Sequence, residues 1–257
     1  MITMTPDFEL KLAETADDIR AAQRLRYRVF VEELGGGGDL VDHDARLETD
    51  AFDVHCDHLL LFDRNNQNDD GAVGVYRVLR SEVAEKSGGF YSEREYDLTR
   101  LINSRRKLLE LGRSCLLPAY RGGAAMYHLW NGLSDYVSDH GIEVLFGVAS
   151  FHGTNPTALA APLSLLHHRH LAPAELRPCA IGENAVSMNM IPEAQVDRRK
   201  AMLEIPALIK AYLRLGGMVG EGAWIDRAFN TTDVCLLLDT ARMNAAQKAI
   251  YTKGERA

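Results

Sequence analysis

The pattern of apolar and polar positions near the start of the chain predicts a helix. Thr15 and Asp18 have the spacing of a capping box, and apolar side chains then recur every three or four residues. This periodicity predicts a helix from about residue 17 to residue 33. The glycine run at residues 35–38 ends it.

Two short apolar runs follow, at residues 58–63 and 72–79, with the polar stretch 65–71 between them. Runs of this length are typical of strands, and the intervening Asp-Gly pair is typical of a turn. The pattern therefore predicts a two-stranded hairpin.

The pattern in the middle of the chain predicts one unit in which a helix connects two strands. A strand candidate at residues 107–117 is followed by Pro118, two glycines and a segment with helical apolar spacing, and then by a strand at 143–149. Strands joined through a helix pair in parallel, so we expect a parallel crossover here. Later patterns predict a strand near residues 185–190, a helix near 205–215 and a strand near 234–238.

These elements predict an α/β fold with a mixed, mostly antiparallel central sheet, one parallel crossover, flanking helices and a C-terminal elaboration. The chain has 257 residues, of which 46% are hydrophobic, and it shows no stretch of linker composition. A chain of this length closes a sizeable core without metal or disulfide support. We therefore expect a single domain, with a core at about residues 12–200 and the elaboration at about 201–257.

Composition excludes several classes of function. There are 36 acidic and 29 basic residues, a formal net charge of -7, which disfavours general binding to nucleic acid. The four cysteines form no Cys-x-x-Cys pair, so neither a zinc finger nor a dithiol redox motif is expected. Residues 1–11 include two acidic side chains and no apolar signal region, which leads us to expect a cytoplasmic protein.

One long segment without Asp, Glu, Lys or Arg covers residues 144–166, a length that could cross a bilayer. His152, Asn155 and Pro156 lie inside it, and their polar groups and missing amide would be costly in lipid. The segment is better interpreted as a buried strand, a loop and a helix.

Charged residues inside the central strand candidate give the first indication of a site. Burying Glu110 and Arg113 unpaired would cost several kcal/mol. They are therefore either paired with the protein's own groups or used in a site, and residue type alone leaves both interpretations open.

The turn after this strand combines Arg121 with Gly122 and Gly123, directly before the next helix. Glycines let the backbone approach a ligand closely, and the amides at a helix N-terminus favour an anion, which is typical of a phosphate cradle. A plain strand-to-helix turn is the alternative.

This region resembles the acyl-donor-binding core of the GCN5-related N-acetyltransferase (GNAT) fold. The resemblance is carried by the sequence 116–123, with Asn155 and Ala158 after the following strand, and it extends from about residue 12 to residue 240. It implies that Arg121, Gly122, Gly123 and Asn155 bind the acyl donor. The pyrophosphate loop of the superfamily is usually Gln/Arg-x-x-Gly-x-Gly/Ala, and this chain departs from it, which favours a donor with a single phosphodiester over coenzyme A.

Eight residues in order resemble the polar signature of acyl-homoserine-lactone synthases, a related family that uses acyl carrier protein. They are Arg26, Phe30, Glu48, Asp50, Asp53, Arg77, Glu110 and Arg113. The sequences around residues 90–98, 110–115 and 203–216, with Asp226 downstream, instead resemble the ornithine-lipid N-acyltransferases of the OlsB type.

The resemblance implies transfer of a 3-hydroxy fatty acyl group from acyl carrier protein to the α-amine of L-ornithine, giving lyso-ornithine lipid. It implies Glu110 as general base in a direct attack without an acyl-enzyme, and burial is expected to raise the pKa of this carboxyl. Arg113, a second catalytic candidate, shares with Arg77 and Arg26 the expected role of binding the substrate carboxylate. The acidic candidates for holding a cationic substrate are Glu48, Asp50 and Asp53. The donor is the acyl-phosphopantetheine of the carrier, with no permanently bound cofactor.

Several alternatives stay open: an acyl-homoserine-lactone synthase, acyl transfer onto glutamine, an acetyl-coenzyme A acetyltransferase, and a non-catalytic module that binds carrier protein or acyl chains. The basic triplets 105–107 and 198–200 are the expected docking patches for an acidic carrier. An amphiphilic product is compatible with transient contact between residues 205–215 and the inner membrane surface, although a core helix also explains this segment. Cys115 is interpreted as a core thiol, and the histidines at 167, 168 and 170 as a helix end, so no metal site is predicted.

Overall fold

A computed structural model describes residues 5–38, 41–66 and 71–243 of the chain. The strands are β1 Phe8–Leu12, β2 Val41–Asp42, β3 Leu47–Glu48, β4 Asp57–Asp63, β5 Ala72–Arg80, β6 Tyr96–Asp97, β7 Leu108–Leu116, β8 Val144–His152, β9 Cys179–Ala180, β10 Ala185–Val186, β11 Met218–Val219, β12 Ala223–Asp226 and β13 Thr231–Asp239. The α-helices are α1 Ala16–Arg26, α2 Ser81–Ser87, α3 Thr99–Asn103, α4 Ala124–His140, α5 Ala160–His170, α6 Arg198–Glu204 and α7 Ala207–Arg214.

Two compact units divide the described chain. The first unit combines the described part of residues 1–87 with Leu111–Gly141, and the second combines Gly88–Glu110 with the described part of residues 142–250. Strand β7 contributes its first three residues to the second unit and the rest to the first. The interpretation as one domain with a core and a C-terminal elaboration stays a prediction, and residues 244–257 of that elaboration lie outside the described part.

In the first unit, strands β1, β4, β5 and β7 follow one another in the sheet. Strand β4 pairs antiparallel with both β1 and β5, which confirms the predicted hairpin; residues 67–70 of its turn lie outside the described part. Strand β5 is buried on both faces along most of its length, because helices pack against this sheet. A Cβ at Gly132 of α4 would overlap the Leu10 side chain, so glycine there allows the helix to lie close to β1.

The first helix begins where the capping box predicts. The Thr15 side chain accepts a hydrogen bond from the Asp18 N–H, and the Asp18 carboxylate accepts one from the Thr15 N–H. The α-helix ends at Arg26 and continues as a π-helical segment, Tyr27–Glu33, so the predicted helix from about 17 to 33 is confirmed with a change of winding. Gly35 follows with a φ of 71°.

In the second unit, the start of β7 pairs in parallel with β8, from Leu108 opposite Val144 to Glu110 opposite Phe146. The predicted parallel crossover is therefore confirmed. Strand β13 pairs antiparallel with β8, β12 and β11, and β12 pairs antiparallel with β10. A mixed, mostly antiparallel sheet with flanking helices is the architecture that the sequence predicts.

The segment at residues 144–166 forms β8, a loop and the start of α5, as interpreted. Within the described residues, none of the helices has both the length and the apolar character needed to cross a membrane. The predicted helix near 205–215 corresponds to α7 and the strand near 234–238 to β13. The strand expected near 185–190 is limited to the two residues of β10.

Candidate functional site

Six of the predicted site residues come together in the first unit as a network of three guanidinium groups and three carboxylates. Its members are Arg26 at the end of α1, Glu48 in β3, Asp50 and Asp53 in the following loop, Arg77 in β5 and Arg113 in β7. Three positive and three negative charges balance formally, so the network satisfies the requirement that buried charges be paired.

Arg26 is the centre of this ion network. Its Nη1 donates to Asp53 Oδ1 at 2.8 Å and its Nη2 to Asp53 Oδ2 at 2.7 Å, which is a bidentate pair. The same Nη2 donates to the Glu48 carbonyl oxygen, and Nε lies 2.6 Å from Glu48 Oε2. The side chain of Arg26 is 0% exposed, so these contacts replace all of its hydration.

The other two arginines link the acidic residues to one another. Arg77 Nη1 donates to Asp50 Oδ1 at 2.6 Å and to Asp53 Oδ1 at 2.9 Å. Arg113 Nε donates to Glu48 Oε1 at 3.1 Å, and its Nη2 donates to Asp50 Oδ2 at 3.0 Å. Each carboxylate therefore contacts two guanidinium groups.

These contacts set the protonation states. Burial alone would raise the pKa of Asp53, but hydrogen bonds and charge from Arg26 outweigh it and hold that pKa well below its usual range. Burial likewise opposes ionisation of Asp50, and the charges of Arg77 and Arg113 lower its pKa. Both carboxylates are thus ionised at neutral pH.

A buried histidine lies beside the network. His58 in β4 is fully buried, its Nε2 is 3.3 Å from the Asp53 carbonyl oxygen, and its Nδ1 has no hydrogen-bond partner among the described residues. Burial first, and the positive charge of Arg26 second, lower its pKa to about 4. His58 is therefore neutral at physiological pH and adds no charge to the network.

The network has one edge that solvent reaches. The Arg113 side chain is 13% exposed and that of Asp50 is 8% exposed, whereas Arg26 is closed to solvent. Arg113 also has a φ of 50°, an unusual conformation for a residue with a side chain. An acceptor substrate can reach this edge more readily than the centre.

Glu110 lies in the second unit and is 5% exposed, as predicted for a strand position. Its Oε2 accepts the Tyr91 N–H at 2.8 Å and its Oε1 accepts the Ser92 N–H at 2.7 Å, at the start of the 3-10 helix Tyr91–Arg94. Two backbone donors thus fix the position of this carboxylate. The carboxylate thereby anchors residues 91–92 to strand β7.

The second unit contains further buried polar groups, and two of them, Ser92 and Cys235, interact with Glu110. The Ser92 Oγ has no hydrogen-bond partner among the described residues, and Ser92 is 1% exposed. The Tyr96 hydroxyl donates to the Asp233 carbonyl oxygen at 2.9 Å. Burial raises the pKa of the Cys235 thiol, and the negative charges of Glu110 and Glu95 raise it further. The sequence indicates residues 90–98 as a motif but does not predict the contact of Tyr96 with β13, because a backbone carbonyl partner has no signal in the sequence.

The predicted donor-binding residues fall into both units. In the first, Arg121 Nη2 donates to Glu33 Oε2 at 2.7 Å and its Nε donates to the Leu116 carbonyl at 3.0 Å. Gly122 has a φ of 74°, and Gly123 precedes α4 without any side-chain cap, which leaves that helix's first amides to other acceptors.

In the second unit, the Asn155 Oδ1 accepts the N–H groups of Thr157 and Ala158 at 3.1 and 3.4 Å. This side chain therefore stabilises the turn before α5. The donor-binding roles of Arg121, Gly122, Gly123 and Asn155 stay predictions, as do the roles assigned to Glu110 and to the ion network.

The remaining candidates have structural explanations. Burial raises the pKa of Cys115 to about 12, which fits the interpretation as a core thiol. The histidines of α5 lie in its last turn, and His168 Nε2 contacts the Ile191 carbonyl oxygen at 2.8 Å. Within residues 5–38, 41–66 and 71–243, no group of three or more His, Cys, Asp or Glu residues is placed to hold a metal ion.

Comparison with known proteins adds relatives that match nearly the whole chain. The L-ornithine N(alpha)-acyltransferase of Rhodobacter capsulatus is 56% identical over 248 residues, which cover 96% of this chain and 95% of that protein. The protein of the same name from Brucella abortus is 42% identical over 250 residues, covering 95% and 88%. A family model described as an acetyltransferase (GNAT) domain matches residues 25–131.

Two solved structures share the fold at low identity. The CoA-dependent acyl-homoserine lactone synthase BjaI has a TM-score of 0.53 at 12% identity, covering 96% of this chain and 89% of that chain. The acyl-homoserine lactone synthase LasI has a TM-score of 0.51 at 14% identity, covering 98% of both chains. At these identities the likeness shows the fold and not the reaction.

Proposed function

The chain belongs to the L-ornithine N(alpha)-acyltransferase family and carries a GNAT domain, and from this premise we propose that it transfers a fatty acyl group to the α-amine of L-ornithine. Identity over nearly the full length to relatives of that name is the observation that carries the proposal. The product is a single-chain lipoamino acid, lyso-ornithine lipid. We propose a cytoplasmic enzyme that meets the inner membrane only transiently.

The proposed donor is a 3-hydroxy fatty acyl thioester on the phosphopantetheine arm of acyl carrier protein. The sequence at residues 121–126 departs from the usual pyrophosphate loop, and Arg121 is already paired with Glu33. The arm of the carrier has a single phosphodiester, so the loop has fewer anionic groups to bind than it would with the pyrophosphate of coenzyme A. The uncapped start of α4 offers backbone amides to that phosphodiester.

In the proposed reaction, Glu110 is the general base. The α-ammonium of ornithine is protonated at neutral pH and cannot attack a thioester, so Glu110 accepts one of its protons, directly or through water. The free amine attacks the thioester carbonyl carbon, an amide bond forms, and the C–S bond breaks. The nitrogen loses a second proton, and the leaving sulfur takes up that proton, so that the carrier leaves as its thiol. The position of the Glu110 carboxyl, buried in the central strand β7, supports this role.

The proposed role of Arg113 is to bind the substrate carboxylate at the exposed edge of the ion network. A guanidinium group with a fixed orientation suits bidentate recognition of a carboxylate. Glu48 and Asp50 hold Arg113 in place, which supports this role. Arg26, Arg77 and Asp53 are more deeply buried. We propose that they act indirectly, by holding the residues of the exposed edge in position.

The test is an incubation of the purified protein with hydroxyacyl carrier protein and a panel of amino acids, read by mass spectrometry. The expected product has the mass of N-acyl ornithine. A product from glutamine would reassign the acceptor, and a lactone formed from S-adenosylmethionine would indicate the lactone-synthase reaction. Turnover with acetyl-coenzyme A alone would make the protein an acetyltransferase. Carrier binding without any product would leave a binding module.

A further inference from the structure

Two basic triplets were candidates for contact with an acidic carrier, and the structure separates them. In the triplet at residues 105–107, Arg106 donates through Nη1 and Nη2 to the two carboxylate oxygens of Asp239, both at 2.7 Å. Its Nε is also 3.5 Å from Glu143 Oε1. The charge of Arg106 is therefore balanced within the second unit, and its side chain is only 21% exposed.

The triplet at residues 198–200 forms the first turn of α6, also in the second unit. Asp197 caps this helix, and its Oδ1 accepts the backbone N–H groups of Arg199 and Lys200, both at 3.1 Å. In the part of the chain that the structure describes, the side chains of Arg199 and Lys200 form no hydrogen bond or ion pair. Both residues are exposed, so their charges are available to a partner.

An apolar residue lies on the same face of α6. Residues three and four apart share one side of a helix, which places Leu203 beside Lys200 and Arg199. Leu203 is 80% exposed, whereas Ala201 on the opposite side is fully buried. Lys210 Nζ donates to the Leu203 carbonyl oxygen at 3.3 Å and adds a third cation next to this leucine.

We propose that this face of α6, formed by Arg199, Lys200 and Leu203, is the docking surface for the acidic acyl carrier protein. The proposal rests on the proposed function, because it assigns a surface to the donor's carrier. Charge complementarity supports it: the whole chain has a formal charge of -7, yet here two exposed cations, Arg199 and Lys200, lie on the same helix face as an exposed leucine. Such a contact steers an acidic partner and lets it leave after each turnover.

The same charges would also attract an anionic membrane surface. One exposed leucine on a seven-residue helix offers little apolar area, however, and stable interfacial binding requires a larger apolar face or a second anchor. A small, charge-rimmed patch is typical of a weak and transient protein contact. The observations therefore favour the carrier over the bilayer.

The test compares the double variant Arg199→Glu/Lys200→Glu with a matched control, Lys86→Glu/Arg227→Glu. The control also reverses one lysine and one arginine, both exposed, and reaches the same net charge. Kinetics are measured with acyl carrier protein and with the same acyl group on free pantetheine. We expect the KM for acyl carrier protein to rise about tenfold or more in the α6 variant, with kcat within about twofold and no change with acyl-pantetheine. The control should match the wild type.

Two further measurements complete the test. Leu203→Gln should raise the same KM severalfold without changing its dependence on salt, whereas the charge reversal should weaken that dependence. The proposal is overturned if the α6 variant and the control behave alike, or if activity falls equally with both donors. If the α6 variant no longer floats with phosphatidylglycerol vesicles while its KM for acyl carrier protein equals that of the wild type, the face binds the membrane instead.

Failure of the proposed function is distinguishable from failure of the docking surface. A wild-type protein that acylates no amine with either donor contradicts the function. Titration of holo-acyl carrier protein against the wild type and the α6 variant then tests the surface by itself. Equal affinities in that titration would overturn it.

Discussion

Arg26 and Asp53 form a bidentate ion pair that is closed to solvent, with N–O distances of 2.8 and 2.7 Å and side chains that are 0% and 5% exposed. The pair joins the end of α1 to the loop before β4. Because Asp53 also accepts from Arg77, this pair fixes the backbone on which the rest of the ion network is built.

Asp53→Asn should destabilise the protein by about 3–5 kcal/mol, because it leaves Arg26 buried without its main counter-ion. Urea unfolding at pH 7 measures the change. Asp17→Asn is the control: its side chain is 96% exposed, and we expect an effect within about 0.5 kcal/mol. Equal effects of the two variants would show that the pair does not stabilise the fold.

Stability should fall as the pH drops from 6.5 towards 4, because His58 resists protonation in the folded state. Its folded pKa is about 4 against an ordinary value of 6.5, so over this window the unfolded chain binds a proton that the folded one does not. The loss attributable to His58 should be about 3 kcal/mol at most.

The measurement is the free energy of unfolding at pH 7.5 and at pH 4.5 for the wild type and for His58→Gln. The variant should lose markedly less stability between these two values, whatever its absolute stability. Asp50 and Asp53 of the ion network have lowered pKa values, so their contribution is present above about pH 4 and is lost only below it. An identical slope in the two proteins would contradict the assignment to His58.

Glu110→Gln should lower kcat by roughly 10²–10⁴-fold, the usual contribution of a general base. The glutamine amide would also place an N–H group against one of the two backbone donors, Tyr91 or Ser92. Thermal unfolding must therefore be followed together with kcat. Glu110→Asp keeps the carboxylate and should recover part of the activity, with a shifted pH–rate profile. Full activity in the glutamine variant would remove Glu110 as the base.

Arg113→Gln should raise the KM for the amino-acid acceptor by about tenfold while changing the KM for the acyl donor little, because it removes a charge-assisted contact with the substrate carboxylate. Steady-state kinetics with each substrate varied in turn measure this. Arg77→Gln is the comparison: at 3% exposed it is more deeply buried, and its main effect should be on stability. A rise in both KM values for Arg113→Gln would argue for a general structural role.

Regular elements were predictable because their signals are local. Spacing and turn chemistry predict the capping box of Thr15 and Asp18 and the hairpin of β4 and β5. They also predict the parallel pairing of β7 with β8. Very short elements such as β10 and β12 were missed or misjudged, because two to four residues carry no readable period.

The sequence indicated which residues belong to the ion network, but not which of them pair with one another. The ordered match to a family signature selected the members of the ion network, yet nothing in the sequence showed that Arg113 would adopt a positive φ and reach both Glu48 and Asp50. Likewise, Glu110 was expected to be buried, but its backbone partners depend on the path of residues 88–95. Such contacts depend on tertiary structure and have no local signal.

The ion pair between Arg121 and Glu33 limits which anions can bind at the loop of residues 121–123. Glu33 already supplies a negative charge to this arginine, and the arginine in turn lowers the pKa of that carboxyl. A stray inorganic anion gains little by competing with such an internal counter-ion. In the proposed function, an anion tethered to a partner is held close by the partner's other contacts, which gives it the effective concentration to displace Glu33.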